Sequence, residues 1–92
     1  MRLDKLLWFL RLTKSRSLAQ SIIAAGAVRV DGERQTIAHK NIAIGQTLTL
    51  VINNHVRVIR VTAIPARRGP APEAQSCYCD LTSAEMIDAS PE

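Results

Sequence analysis

Lys14-Ser15-Arg16-Ser17-Leu18-Ala19-Gln20-Ser21-Ile22-Ile23-Ala24-Ala25-Gly26-Ala27-Val28-Arg29-Val30-Asp31-Gly32 holds a helix start, a helix stop and a hairpin turn in one short run. Leu18, Ala19, Ile22, Ile23 and Ala25 recur at helical spacing and predict an apolar side over residues 16–25. Arg16, Ser17 and Gln20 fall on the other side. Two serines are candidates for the cap: Ser17 with Gln20 has capping-box spacing, and Ser15 fits if the helix begins at Arg16. Gly26 stands where a glycine just past the last turn stops a helix. The period then changes to two. Val28 and Val30 alternate with Arg29, and Asp31-Gly32 is a strong two-residue hairpin signal. That turn sets Val30 opposite Glu33 and Arg29 opposite Arg34. Two arginines facing each other repel, a local cost that a bound phosphate would relieve.

On the N-terminal side, Leu3, Leu6, Leu7 and Leu10 recur at i, i+3, i+4 and i+7, predicting a helix over residues 2–12 with one apolar stripe. Arg2 and Lys5 lie away from the stripe, and Trp8 and Leu12 fall nearly opposite it. A tryptophan there needs a cover, either an RNA base or another segment of the chain. The spare apolar residues of the tail favour the segment. The link to the second helix is short, so the two helices should pack as neighbours. On the C-terminal side, residues 36–46 read as a connection ending at Gly45. Leu48, Leu50 and Ile52 alternate with Thr47, Thr49 and Val51 as a strand. Asn53-Asn54 marks a turn, and residues 56–62 form a further strand ended by Pro65. Arg67-Arg68-Gly69-Pro70-Ala71-Pro72 reads as irregular, because proline fixes φ and lacks a donor. Thr82 and Glu85 have capping-box spacing for a short last helix. The chain divides into a domain over residues 1–69 and a Pro-containing tail over residues 70–92.

Ninety-two residues suit one domain with one core. Aromatics are 3% of the chain, so the core must come from Leu, Ile, Val and Ala. The longest apolar run is far short of the roughly 20 residues of a membrane span, and Leu6–Leu10 is too short and too soon interrupted by Arg11 for a signal peptide. A cytoplasmic protein with no membrane partner is expected. Cys77 and Cys79 lack the CxxC spacing of zinc and redox sites, and His39 and His55 have no ligand partners nearby in sequence, so no metal or other cofactor is expected. The chain contains no GxxxxGK[ST], GxGxxG, HExxH or GxSxG, and its acids are scattered. The reading is of a protein that is not an enzyme and has no small-molecule substrate.

Charge is more informative. All twelve Lys and Arg lie within residues 1–69 against three acids, Asp4, Asp31 and Glu33, leaving +9; residues 70–92 carry five acids and no base, −5. A basic body points to a polyanionic partner. Placement sharpens this. Lys14 and Arg16 flank the start of the second helix, where free N–H groups and the helix dipole favour an anion. Ser17 and Gln20 add neutral hydrogen-bonding groups. Arg2 and Lys5 come from the adjoining helix, Arg29 and Arg34 from the hairpin.

The ordered set Arg2-Leu3-Asp4-Lys5, Lys14-Ser15-Arg16-Ser17-x-Ala19-Gln20, Ile23, Gly26 and Val28-x-Val30-Asp31-Gly32 resembles the RNA-binding module first known from the small-subunit ribosomal protein four, also called the αL motif. The resemblance covers roughly residues 1–50. It implies an α+β fold with two N-terminal helices packed on a small, bent, mostly antiparallel sheet, followed by an irregular C-terminal segment. It also implies RNA bound along the helix face and hairpin, and the matching positions are Arg2, Lys5, Lys14, Arg16, Ser17, Gln20 and Arg29. Trp8 and Arg68-Gly69-Pro70-Ala71-Pro72-Glu73-Ala74-Gln75 further resemble the bacterial ribosome-associated heat-shock protein of about fifteen kilodaltons and its short relatives. That resemblance implies docking on ribosomal RNA of the large ribosomal subunit, in ribosome rescue or recycling, with transfer RNA or another structured RNA as the alternative partner. The family's better-known member carries a longer, basic C-terminal extension, whereas residues 70–92 here are acidic. Three readings of the tail stand open: Tyr78, Leu81, Met86 and Ile87 recruit a protein partner, or they cover the Trp8 side of the first helix, or the tail's acids compete with RNA for the basic face. The small apolar surplus suggests a monomer. Sparse aromatics suit recognition of double-stranded RNA by shape and backbone better than base stacking.

Overall fold

The structure is a computed structural model that describes residues 1–52 and 54–82. Helix α1 spans Leu3–Phe9 and α2 Arg16–Ala24; β1 spans Val28–Val30, β2 Glu33–Arg34, β3 Thr47–Ile52 and β4 His55–Val61; α3 spans Ala71–Gln75 and β5 Tyr78–Asp80. The five strands form one antiparallel sheet in the order β2-β1-β3-β4-β5. The fold is α+β, as the resemblance implies.

The leucine stripe of α1 is fully used: Leu3, Leu6, Leu7 and Leu10 are buried. They meet Ala19 and Ile23 of α2 and Val28, Val30, Leu48, Leu50, Ile59 and Val61 of the sheet in a single core. Helix α1 ends earlier than its periodicity suggests. Arg11 turns left-handed at φ 60°, and the Leu12 N–H reaches back to the Leu7 carbonyl at 3.0 Å. In α2, Ser15 is the cap, accepting from the Leu18 N–H at 3.0 Å, so the helix begins at Arg16. Leu18 and Ala25 fall on its apolar side by spacing but are exposed; the buried contacts are Ala19 and Ile23, with Ile22 half-buried. Nine residues leave room for only a narrow stripe against α1. Gly26 (φ 81°) ends the helix. The Gly26 and Ala27 N–H groups bond back to the Ile23 and Ile22 carbonyls.

The hairpin has the expected register, with Arg29 opposite Arg34 and Val30 opposite Glu33. Asp31 and Gly32 both have positive φ, the geometry that matches the twist of paired strands. Residues 38–42 run beside α1 and satisfy its first N–H groups: Leu3 donates to the Lys40 carbonyl at 2.8 Å and Asp4 to that of Ala38 at 3.0 Å.

The region after β4 differs from its sequence reading. Residues 71–75 are helical despite the prolines, because Pro70 is the cap and Pro72 lies in the first turn, where a missing N–H costs nothing. Residues 78–80 are a fifth strand, with Val61 opposite Tyr78 and Ile59 opposite Asp80. The pattern Tyr78-Cys79-Asp80 is too short to show a period. Its place is set by the open edge of β4. Trp8 is covered by Arg68, whose guanidinium lies 5.4 Å from the ring centre and whose Nε donates to the Trp8 carbonyl at 3.0 Å. Among the described residues the cover is therefore a cationic loop residue and not an apolar residue of the tail. Arg11 returns the clasp by donating to the Gly69 carbonyl at 2.6 Å. The helix expected from Thr82 and Glu85, and the assignments to Met86 and Ile87, lie outside the described residues beyond Thr82.

Candidate nucleic-acid interface

The candidate interface is organised around a residue that the sequence grouped with scattered acids. Asp4 has no exposed surface. Its Oδ1 accepts from Arg2 Nε at 2.8 Å and from the Lys5 N–H at 2.7 Å. Its Oδ2 accepts from Arg2 Nη2 at 3.0 Å, Gln20 Nε2 at 2.9 Å and Arg16 Nε at 3.4 Å. Burial by itself pushes the carboxyl's pKa up. The hydrogen bonds from Arg2, Gln20 and the Lys5 N–H, with the charge of Arg16, outweigh burial and hold it at about 2 rather than 3.8. The carboxylate is thus permanently ionised near neutral pH.

This geometry follows from the packing of the two helices. Asp4 stands three residues before Leu7, at the border of the α1 stripe, and α2 brings Arg16 and Gln20, one turn apart, to that border. Arg2 enters from the residue just before α1. Three of the predicted site residues, Arg2 from the start of α1 and Arg16 and Gln20 from α2, therefore converge on one carboxylate. The two guanidiniums remain 45% and 38% exposed. Each keeps N–H groups beyond those that Asp4 accepts, in a fork that suits phosphate. The signal available in the sequence was an acid at the edge of an apolar helical stripe, with arginine and glutamine on the helix that follows.

The remaining predicted residues lie around this centre. Ser15 is committed to capping α2 through its hydroxyl. Lys14 and Ser17 flank that cap and are exposed. Lys5 is half-buried, with its ammonium 5.3 Å from the centre of the Phe9 ring. Arg29 and Arg34 are exposed on the hairpin. The Arg34 stem lies over Gly26, at the C-terminal end of α2. The nine residues of α2 span about 14 Å, so the Ser15–Arg16 end and the Arg34 end are separate parts of the surface, not one cluster.

A second polar group sits at the other end of the sheet. Arg57 donates to the Tyr78 hydroxyl at 2.9 Å and pairs with Asp80 at 3.5 Å. The Thr82 hydroxyl and backbone N–H, with Arg57, hold the Asp80 carboxyl below its ordinary pKa. Arg57 also borders an open cavity of about 260 Å³ lined by Leu12, Leu50, Ile52 and His55.

A family model for the S4 domain matches residues 1–48. Heat shock protein 15 of Escherichia coli strain K12 is 41% identical over 87 residues, 95% of this chain and 63% of that protein. The heat shock protein 15 homolog of Haemophilus influenzae is 36% identical over 83 residues, 90% of this chain and 63% of its own. Heat shock protein 15 of Vibrio cholerae, solved as a trimer, superposes with a TM-score of 0.85 at 33% identity, covering 98% of this chain and 92% of that one. The chain spans 63% of the length of these E. coli and H. influenzae relatives.

Proposed function

This chain belongs to the S4 domain family, among the heat shock protein 15 homologues, and from that premise we propose that it is a non-catalytic RNA-binding protein that docks on ribosomal RNA of the large subunit, in ribosome rescue or recycling. The observation that carries the reading is the Asp4 centre. It holds two half-exposed arginines from separate elements beside the capped start of α2, with Lys14 and Ser17 exposed on its flank. An anion met there finds oriented guanidinium forks and the positive end of a helix dipole. Such contacts read phosphate position and RNA shape, not base identity. The protein works in the cytoplasm on this reading. Among the described residues no helix is long and apolar enough to cross a membrane. The free protein is taken as a monomer, in contrast to the V. cholerae relative, and sedimentation equilibrium distinguishes monomer from trimer.

The test is co-sedimentation with separated ribosomal subunits, comparing wild type with a Lys14→Gln, Arg29→Gln double variant. Both side chains are exposed and neither bonds to Asp4, so the variant keeps the fold. Wild type is expected to pellet with large subunits and the variant to remain in the supernatant. If a folded wild type pellets with neither subunit, the ribosomal reading fails, and a titration with transfer RNA then decides the alternative target.

A further inference from the structure

Away from the Asp4 centre, the sheet register gathers three arginines on the side that the helices leave open. Val28 and Val30 point into the core, so Arg29 between them points outward. Pairing carries that outward side across the sheet. Arg29 lies opposite Arg34 on β2 and Thr49 on β3, and Thr47 on β3 lies opposite Arg60 on β4. The three arginines are exposed, with the two half-buried threonines between them. Strand spacing places the three arginines within roughly 16 Å of one another.

Arg29, Arg34 and Arg60 take part in no ion pair among the described residues. The ion pairs present use Arg2, Arg16, Arg57 and Arg67. Glu33 and Asp80 pair in register with Val30 and Ile59, on the core side. The Asp31 carboxylate keeps its charge but is held by the Thr47 N–H and the Gln46 amide and forms no ion pair with these arginines. Guanidiniums without an ion-pair partner among the described residues, interleaved with hydroxyls, have the chemistry of a contact to a phosphate backbone rather than to stacked bases. Opposed Arg29 and Arg34 repel until an anion sits between them.

We propose that the RNA-backbone surface continues from the hairpin arginines Arg29 and Arg34 across the outer face of the sheet, where Arg60 adds a further phosphate contact beside the Thr47 and Thr49 hydroxyls. The extension reaches past the residues matched by the S4 family model to Arg60. The inference rests on the RNA-binding reading above.

The experiment titrates a synthetic RNA hairpin into wild type, Arg60→Gln and Arg67→Gln across a range of salt concentrations. Arg67 is an exposed cation of the loop before α3, ion-paired with Glu73, and serves as a control for net charge. Arg60→Gln is expected to weaken binding several-fold and to lower the salt slope by about 0.7–0.9, the loss of one phosphate contact. Arg67→Gln should leave the slope unchanged. An Arg60→Gln slope and affinity equal to wild type, or equal to those of Arg67→Gln, overturns the extension to Arg60 alone. Absence of salt-dependent binding by wild type overturns the RNA-binding reading and this inference with it.

Discussion

A carboxylate without exposed surface is tolerated only where donors replace its water, and Asp4 is given them by Arg2, Lys5, Arg16 and Gln20. Its folded pKa of about 2 lies below the unfolded value of 3.8, so its contribution to stability is fully present above pH 3.8 and is lost as pH falls through about 2. That contribution is about 2 kcal/mol. Urea denaturation should show Asp4→Asn destabilised by about this amount at neutral pH. The gap between wild type and variant should close on acidification. Asp31 also titrates low, held there by the Thr47 N–H and the Gln46 amide, but it is common to both proteins and cancels in the difference. A pH-independent gap would mean that Asp4 contributes through shape and not through charge. RNA affinity should fall along with stability, since Arg2 and Arg16 lose the group that orients them.

Among the elements, the junction of α2 and the hairpin carries the tightest constraint. Gly26 has φ 81°, and a Cβ there would stand 3.1 Å from Cδ of Arg34. Gly26→Ala should cost about 1–2 kcal/mol from the left-handed backbone, since the flexible Arg34 stem can give way. The urea midpoint should fall at constant m-value. Unchanged stability would show that the α2 stop does not depend on this glycine. The same substitution displaces Arg34 from its place beside Arg29, so RNA binding is expected to weaken more than stability alone accounts for. The helix stop and the basic hairpin are thus mechanically joined. The clasp of Arg11 on Gly69 and Arg68 on Trp8 joins α1 to the segment before α3 in a similar way.

On the scale of the molecule, a polyanion partner implies a strong dependence on ionic strength. With about five phosphate contacts, the slope of log affinity against log salt should lie near −3.5 to −4.5, measurable with a labelled RNA hairpin. A slope near zero would exclude backbone recognition. Much of this was legible in the chain itself: two helices from the leucine stripe and the Ser15–Gly26 boundaries, the Asp31-Gly32 hairpin and its opposed arginines, the two long strands and the basic body. These are local matters, since period, caps and turn residues act over one or two turns of chain. Three features were not legible. The burial of Asp4 among Arg2, Arg16 and Gln20, the strand Tyr78–Asp80 and the Arg68 cover on Trp8 each join residues distant in sequence. Sequence alone therefore determined the elements as far as β4 and the sign of the surface, because both follow from local residue pattern and composition. Tertiary structure alone decided which cations are held in place and which stand open, because a buried carboxylate and a strand register take effect only after distant segments have packed together.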